Sequence, residues 1–182
     1  MAEPDEPLIR VVYWGVGLSG KTTNLQHLYA HTPPERRSAM RSMPTDDARI
    51  LSFTLTASTP QWPTRLELCT VPGAVFFDVT RRELLARADA VVFVVDSQEA
   101  RLAQAIEAAR ELAPWRAAHG ERPVVFQYNK RDLPTALACE SLDHALQRGD
   151  APRSEAIATR GDGVFETFRT CVAHLRARRA RR

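Results

Sequence analysis

The sequence predicts an α/β domain built on a mostly parallel central sheet with helices on both faces. Three observations point that way. Apolar, β-branched runs alternate with helix-patterned segments along the chain, the order that produces a parallel sheet. Two of the runs, AVVFVV (90–95) and PVVFQY (123–128), are apolar nearly throughout, as strands covered on both faces are. A glycine-bearing loop, GVGLSGKT (15–22), separates the first run from the first helix.

LIRVVYW (8–14) reads as the first strand and KTTNLQHLYAH (21–31) as a helix stopped before Pro33 and Pro34. Residues 32–49 read as polar and irregular. ILSFTLTA (50–57) and TRLELCTV (64–71) alternate apolar with polar residues, as half-exposed strands do, and predict one antiparallel hairpin at an edge of the sheet. TRRELLARA (80–88) is a short helix and 90–95 a buried strand. A long helix over 98–115 follows, then the second buried strand at 123–128. LACESLDHALQRG (137–149) is a helix closed by Gly149, SEAIAT (154–159) a short strand, and 163–180 the last helix.

The chain of 182 residues reads as a single domain, with a core over about 8–175 and flexible tails at 1–7 and 176–182. No apolar run is long enough to cross a bilayer, and the acidic, proline-bearing start MAEPDEP resembles neither a signal nor a transit peptide. Cys69, Cys139 and Cys171 have no metal-ligand spacing and read as buried or incidental thiols of a reducing cytoplasm. The net charge of +3 comes from the tail RARRARR (176–182). Without its five arginines the chain has 20 basic against 22 acidic residues. That tail could touch nucleic acid or an anionic surface, or simply be a solvated helix end.

Only Lys21 and Lys130 are lysines, every other basic residue being arginine. A compact ammonium on a flexible stem does what a planar guanidinium cannot, so both positions draw attention. Lys21 lies in G-x-x-x-x-G-K-T, filled by Gly15, Gly20, Lys21 and Thr22. Its backbone, through Gly17, Leu18 and Ser19, would point N–H groups at phosphate. Lys21 would reach the β- and γ-phosphates, Thr22 would bind Mg²⁺, and Thr23 would continue the wall.

Lys130 lies in YNKRDLP (128–134), at the end of a buried strand, where open α/β sheets bind ligands. Asp132 can accept from the ring N–H and the exocyclic amine of guanine. Adenine has no such donors there and would leave the carboxylate unpaired. Lys130 would pack its stem on the base, and Asn129 would tie the two loops together. In AIATRGDG (156–163), the Ala158 N–H would donate to the guanine O6, with Thr159 and Arg160 completing the wall.

With these segments in place the chain resembles the Ras-like small GTPases, and within them the bacterial MglA family of gliding-motility GTPases. The resemblance runs from about Leu8 to Leu175 through GLSGKTTNLQ, TVPG, VVFVVDSQ, YNKRDLP and GVFETF. It implies the P-loop small-GTPase fold, GTP and GDP with Mg²⁺, Gly73 beside the phosphates, and a cytoplasmic switch in bacterial cell polarity. It also implies a roadblock-domain partner that activates hydrolysis.

The hydrolytic positions depart from that pattern. The water-orienting glutamine expected after Gly73 is Ala74. The metal-sensing threonine expected after Arg49 is Ile50, and Thr45 is the nearest upstream threonine that could take its place. Thr70 stands where many small GTPases carry aspartate, although threonine is usual in the MglA family. Arg49 resembles that family's built-in arginine finger, and equally a solvated surface arginine. Two functions stay open: a switch whose hydrolysis is slow or partner-assisted, and a module that holds nucleotide without turnover.

Overall fold

The structure, a computed structural model, describes residues 7–44, 49–56, 64–73 and 78–181. The elements are β1 (Leu8–Trp14), α1 (Lys21–Ala30), β2 (Arg41–Pro44), β3 (Arg49–Thr56), β4 (Arg65–Thr70), α2 (Asp78–Ala86), β5 (Ala90–Asp96), α3 (Leu102–Ala118), β6 (Val124–Asn129), α4 (Cys139–Ala145), β7 (Arg153–Glu155) and α5 (Val164–Arg179). They form a seven-stranded sheet in the order β2-β3-β4-β1-β5-β6-β7. From β4 to β7 every pairing is parallel, while β3 runs antiparallel to β4 and β2 antiparallel to β3. The mostly parallel sheet with helices on both faces is therefore the fold of the chain.

Several details differ from the sequence reading. The helix read at 137–149 is only Cys139–Ala145, ending short of Gly149, and the helix read from 98 starts at Leu102 after a 3-10 turn. Within 32–49, read as irregular, Pro34–Arg36 make a 3-10 turn and Arg41–Pro44 make β2. The predicted hairpin is thus the β3–β4 pair, but β2 lies outside it at the edge. The strand read at 154–159 is only Arg153–Glu155, and the segment beyond it forms the turn that leads to α5.

Successive residues of a strand face opposite sides, and β1 shows the result. Val11 and Tyr13 join the layer under α1 and α5, with Leu25, Leu28, Phe168 and Cys171. Val12 and Trp14 join the layer under α3 and α4, with Leu112, Trp115 and Leu142. Every residue of β5 and β6 is buried, including the polar Asp96, Gln127 and Asn129. All three cysteines are free and buried, and burial pushes the Cys69 and Cys171 thiols up to about 12.

One polar knot crosses the first layer. Asn24 Nδ2 donates to Gln127 Oε1 at 2.8 Å while Gln127 Nε2 donates back to Asn24 Oδ1 at 2.9 Å and to Thr167 Oγ1 at 2.9 Å. All three residues are fully buried, and the bonds join α1, β6 and α5. Buried polar groups are tolerated only when satisfied in this way.

Candidate nucleotide site

The carboxyl ends of β1, β5 and β6 meet at one edge of the sheet, and the three motif segments leave from them. After Trp14 the chain turns through Gly15 to Gly20 and enters α1 at Lys21. Leu18 (φ 62°) and Gly20 (φ 106°) lie in the left-handed region. A side chain at Gly20 would be strained at this φ, and its Cβ, 2.1 Å from Asn129 Nδ2, would displace that amide. Lys21, 6% exposed, donates from Nζ to the carbonyls of Gly15 (2.9 Å) and Val16 (2.5 Å). Burial, with the nearby Arg81 cation, lowers its ammonium to about 7. Thr22 is exposed at the first turn of α1, and Thr23 is half-buried.

Asn129 is the brace between the loops. Its Nδ2 donates to the Ser19 carbonyl at 2.8 Å and its Oδ1 accepts from the Ala158 N–H at 2.9 Å. The Ala158 amide, read from sequence as a donor to the base, is therefore given to Asn129 here. Ser19 contributes its carbonyl, while its own hydroxyl is buried without a partner. Beside the brace lies a cavity of about 200 Å³ lined by Leu18, Gly20, Thr23, Lys130, Asp132 and Thr159, among others. Lys130 is held at φ 63° and is half-buried, while Asp132 and Thr159 are exposed at the mouth. The structure thus gathers the residues of all three motifs, and Arg160 stays exposed beside them.

On the other flank, Gly73 lies directly on the phosphate loop. The Gly17 N–H donates to the Gly73 carbonyl at 3.1 Å. Arg49 is exposed at the start of β3, at the same sheet end as the loop, since β3 runs antiparallel to β4. Ile50 is buried in the sheet. The Thr70 hydroxyl accepts the Leu51 N–H at 2.9 Å, a bond between β3 and β4. Thr45 and Ala74 lie outside the described residues.

Three charged residues at this edge had no role in the sequence reading. Arg81, 4% exposed on α2, stacks over Trp14 with its guanidinium carbon 4.3 Å from the ring centroid. It also donates to the Pro72 carbonyl (2.7 Å) and to Glu111 (2.7 Å). Asp96 accepts from Lys130 Nζ at 2.6 Å, and Arg101 donates to the Gly17 carbonyl at 2.7 Å. Asp96 falls in the VVFVVDSQ segment that carries the resemblance, without a role of its own there, and two arginines among so many carry no sequence signal.

Mg²⁺ takes few protein oxygens in phosphate sites and completes its shell with phosphate and water, so a single hydroxyl such as that of Thr22 suits it. Among the described residues no cluster of three or more His, Cys, Asp or Glu could hold a metal, and no helix is long and apolar enough to cross a membrane. A larger cavity, about 1110 Å³, lies at the opposite end of the sheet between α3, α4 and the end of α5, away from every motif residue. The arginines of 176–179 belong to the last turn of α5.

No protein-family model matches the chain. Against curated proteins it is 41% identical over 174 residues to the "Mutual gliding-motility protein MglA" of Myxococcus xanthus (strain DK1622), covering 91% of this chain and 89% of that protein.

Proposed function

Because the chain belongs to the MglA-like small GTPases, we propose that it is a guanine-nucleotide switch of cell polarity or motility whose hydrolysis is slow and partner-assisted. The observation that carries the reading is the Asn129 brace, which seats the Lys130–Asp132 loop beside the phosphate loop and over a base-sized cavity.

The chain's own groups account for binding. The phosphates meet the Lys21 ammonium at the end of the Gly15–Gly20 loop, and their charge favours its protonated form. The Lys21 contacts to the Gly15 and Val16 carbonyls then give way to phosphate oxygens. Thr22 offers its hydroxyl to Mg²⁺, which when bound neutralises charge on the β- and γ-phosphates. Asp132 accepts two guanine donors, and Lys130 covers the base with its stem.

Ala74 has no side chain to orient water, and Ile50 cannot ligate metal. A missing water-positioning group lowers the rate by on the order of a hundredfold or more. Arg49, or an arginine or other group from a roadblock-type regulator, is the candidate compensation. The second reading, a module that holds nucleotide without turnover, is favoured by those same two substitutions.

Two assays separate the readings. Nucleotide released from protein purified rapidly with Mg²⁺ and then denatured should be guanine nucleotide. Single-turnover GTP hydrolysis should be very slow alone and faster with a roadblock-domain protein. Loss of that stimulation in Arg49→Ala would establish the switch, whereas no stimulation by such a partner would favour the holding module.

A further inference from the structure

Asp96 ends β5 and is 1% exposed, a carboxylate taken almost wholly out of water. Such a group persists only when paired and hydrogen-bonded. Its Oδ2 accepts from Lys130 Nζ at 2.6 Å, and Arg101 Nε lies 3.9 Å from the same oxygen. Its Oδ1 accepts from the Gln98 N–H at 3.1 Å, and Gln98 Nε2 reaches both oxygens at 3.1 and 3.2 Å.

The two cations it gathers face different parts of the nucleotide site. Lys130 lines the base cavity. Arg101, carried back by the 3-10 turn Glu99–Arg101, donates from Nη2 to the Gly17 carbonyl in the phosphate loop. Lys130 also holds φ 63°, a conformation that survives in a non-glycine residue only where its surroundings over-determine it.

Resting on the guanine-nucleotide reading, we propose that Asp96 is a positioning residue of the site. One buried carboxylate sets Lys130 at the base and Arg101 at the phosphate loop, fixing the distance between the two halves of the pocket.

A purely local role, closing the turn through the Gln98 N–H, would make a different demand. An amide oxygen closes the turn equally well but carries no charge, so Asp96→Asn separates the two roles. The experiment measures dissociation of a fluorescent GDP from the full-length wild type, Asp96→Asn, Arg101→Gln and the double variant, with thermal unfolding in parallel.

Asp96→Asn is expected to release GDP roughly tenfold to a hundredfold faster, the scale of a lost charge-assisted bond. Arg101→Gln should have a smaller effect, and the double variant should be no faster than Asp96→Asn alone, because Arg101 acts from the place Asp96 gives it. Wild-type release from Asp96→Asn, or effects that multiply independently, would overturn the proposal.

Should Asp96→Asn fail to fold, the pair Lys130→Gln and Arg101→Gln carries the same test. Coupled effects support the shared carboxylate, and independent ones overturn it. A wild-type chain that binds no GDP would instead refute the guanine reading, and this inference with it.

Discussion

The amide of Gly17 and the carbonyl of Gly73 are joined at 3.1 Å, so the residue closing the TVPG segment lies backbone to backbone on the phosphate loop. A Cβ on Gly73 would stand 2.3 Å from Gly17 Cα and 2.5 Å from Gly17 N. Neither atom is the end of a flexible side chain. Gly73→Ala is therefore expected to force this contact open, with a stability loss of about 1–3 kcal/mol, the usual range for overpacking. Hydrogen exchange at the Gly17 amide would report the opening directly, and unchanged protection would contradict it.

Asn129 satisfies two buried backbone groups, the Ser19 carbonyl and the Ala158 N–H. Asn129→Ala should lower unfolding free energy by roughly 2–4 kcal/mol, since each orphaned group costs about 1–3 kcal/mol. It should also shorten nucleotide residence. Urea unfolding and GDP release together test the point, and a change in only one of them would show that the brace serves only that property.

Asp132 should set base choice. A carboxylate accepts twice, matching the two guanine donors, whereas an asparagine accepts once and donates once and so matches xanthine. Asp132→Asn is expected to shift the preference from GDP to xanthosine diphosphate by on the order of a hundredfold or more, read by competition against fluorescent GDP.

The lowered Lys21 ammonium gives a pH dependence of definite sign. In this arrangement it titrates near 7, below its ordinary 10.5. Between those values the unfolded chain binds the proton more readily, so the nucleotide-free protein gains stability as pH rises from about 7 toward 10. Phosphate favours the charged amine, so GDP binding takes up a proton above pH 7 and its affinity falls as pH rises. Calorimetry in buffers of different ionisation enthalpy should detect that uptake at pH 8, and Lys21→Met should abolish it.

Restoring a side chain that can orient water is expected to raise intrinsic turnover. Ala74→Gln should speed single-turnover GTP hydrolysis by roughly tenfold to a hundredfold. No acceleration would move the deficit to the Ile50 position.

The sequence made the sheet legible where burial left a periodic trace. β5 and β6 are buried at every residue and read as largely apolar runs, while β3 alternates and reads as half-exposed. β2 left no such trace, because all four of its residues are exposed and only pairing with β3 makes it a strand. In the site, the phosphate loop and the Asn129–Asp132 turn were legible because backbone geometry and base chemistry demand particular residues close together in sequence. Arg81, Asp96 and Arg101 were not, since their roles arise from contacts across the fold. The bond from the Ala158 amide to Asn129 Oδ1 left no trace either, as its two ends lie 29 residues apart.

The knot of Asn24, Gln127 and Thr167 acts as a gauge for the height of the phosphate loop. Reciprocal amide bonds close in only one alignment, so if α1 slid along β6 by a turn, about 5.4 Å, both amides would be stranded in apolar surroundings. Asn24 lies only three residues beyond Lys21, which leaves little slack between gauge and loop. The elevation of the Lys21 amine above the sheet is thus written into a pair of fully buried side chains. A chain that exchanged either amide for a hydrocarbon would keep every binding motif intact and lose the level at which they were built to work.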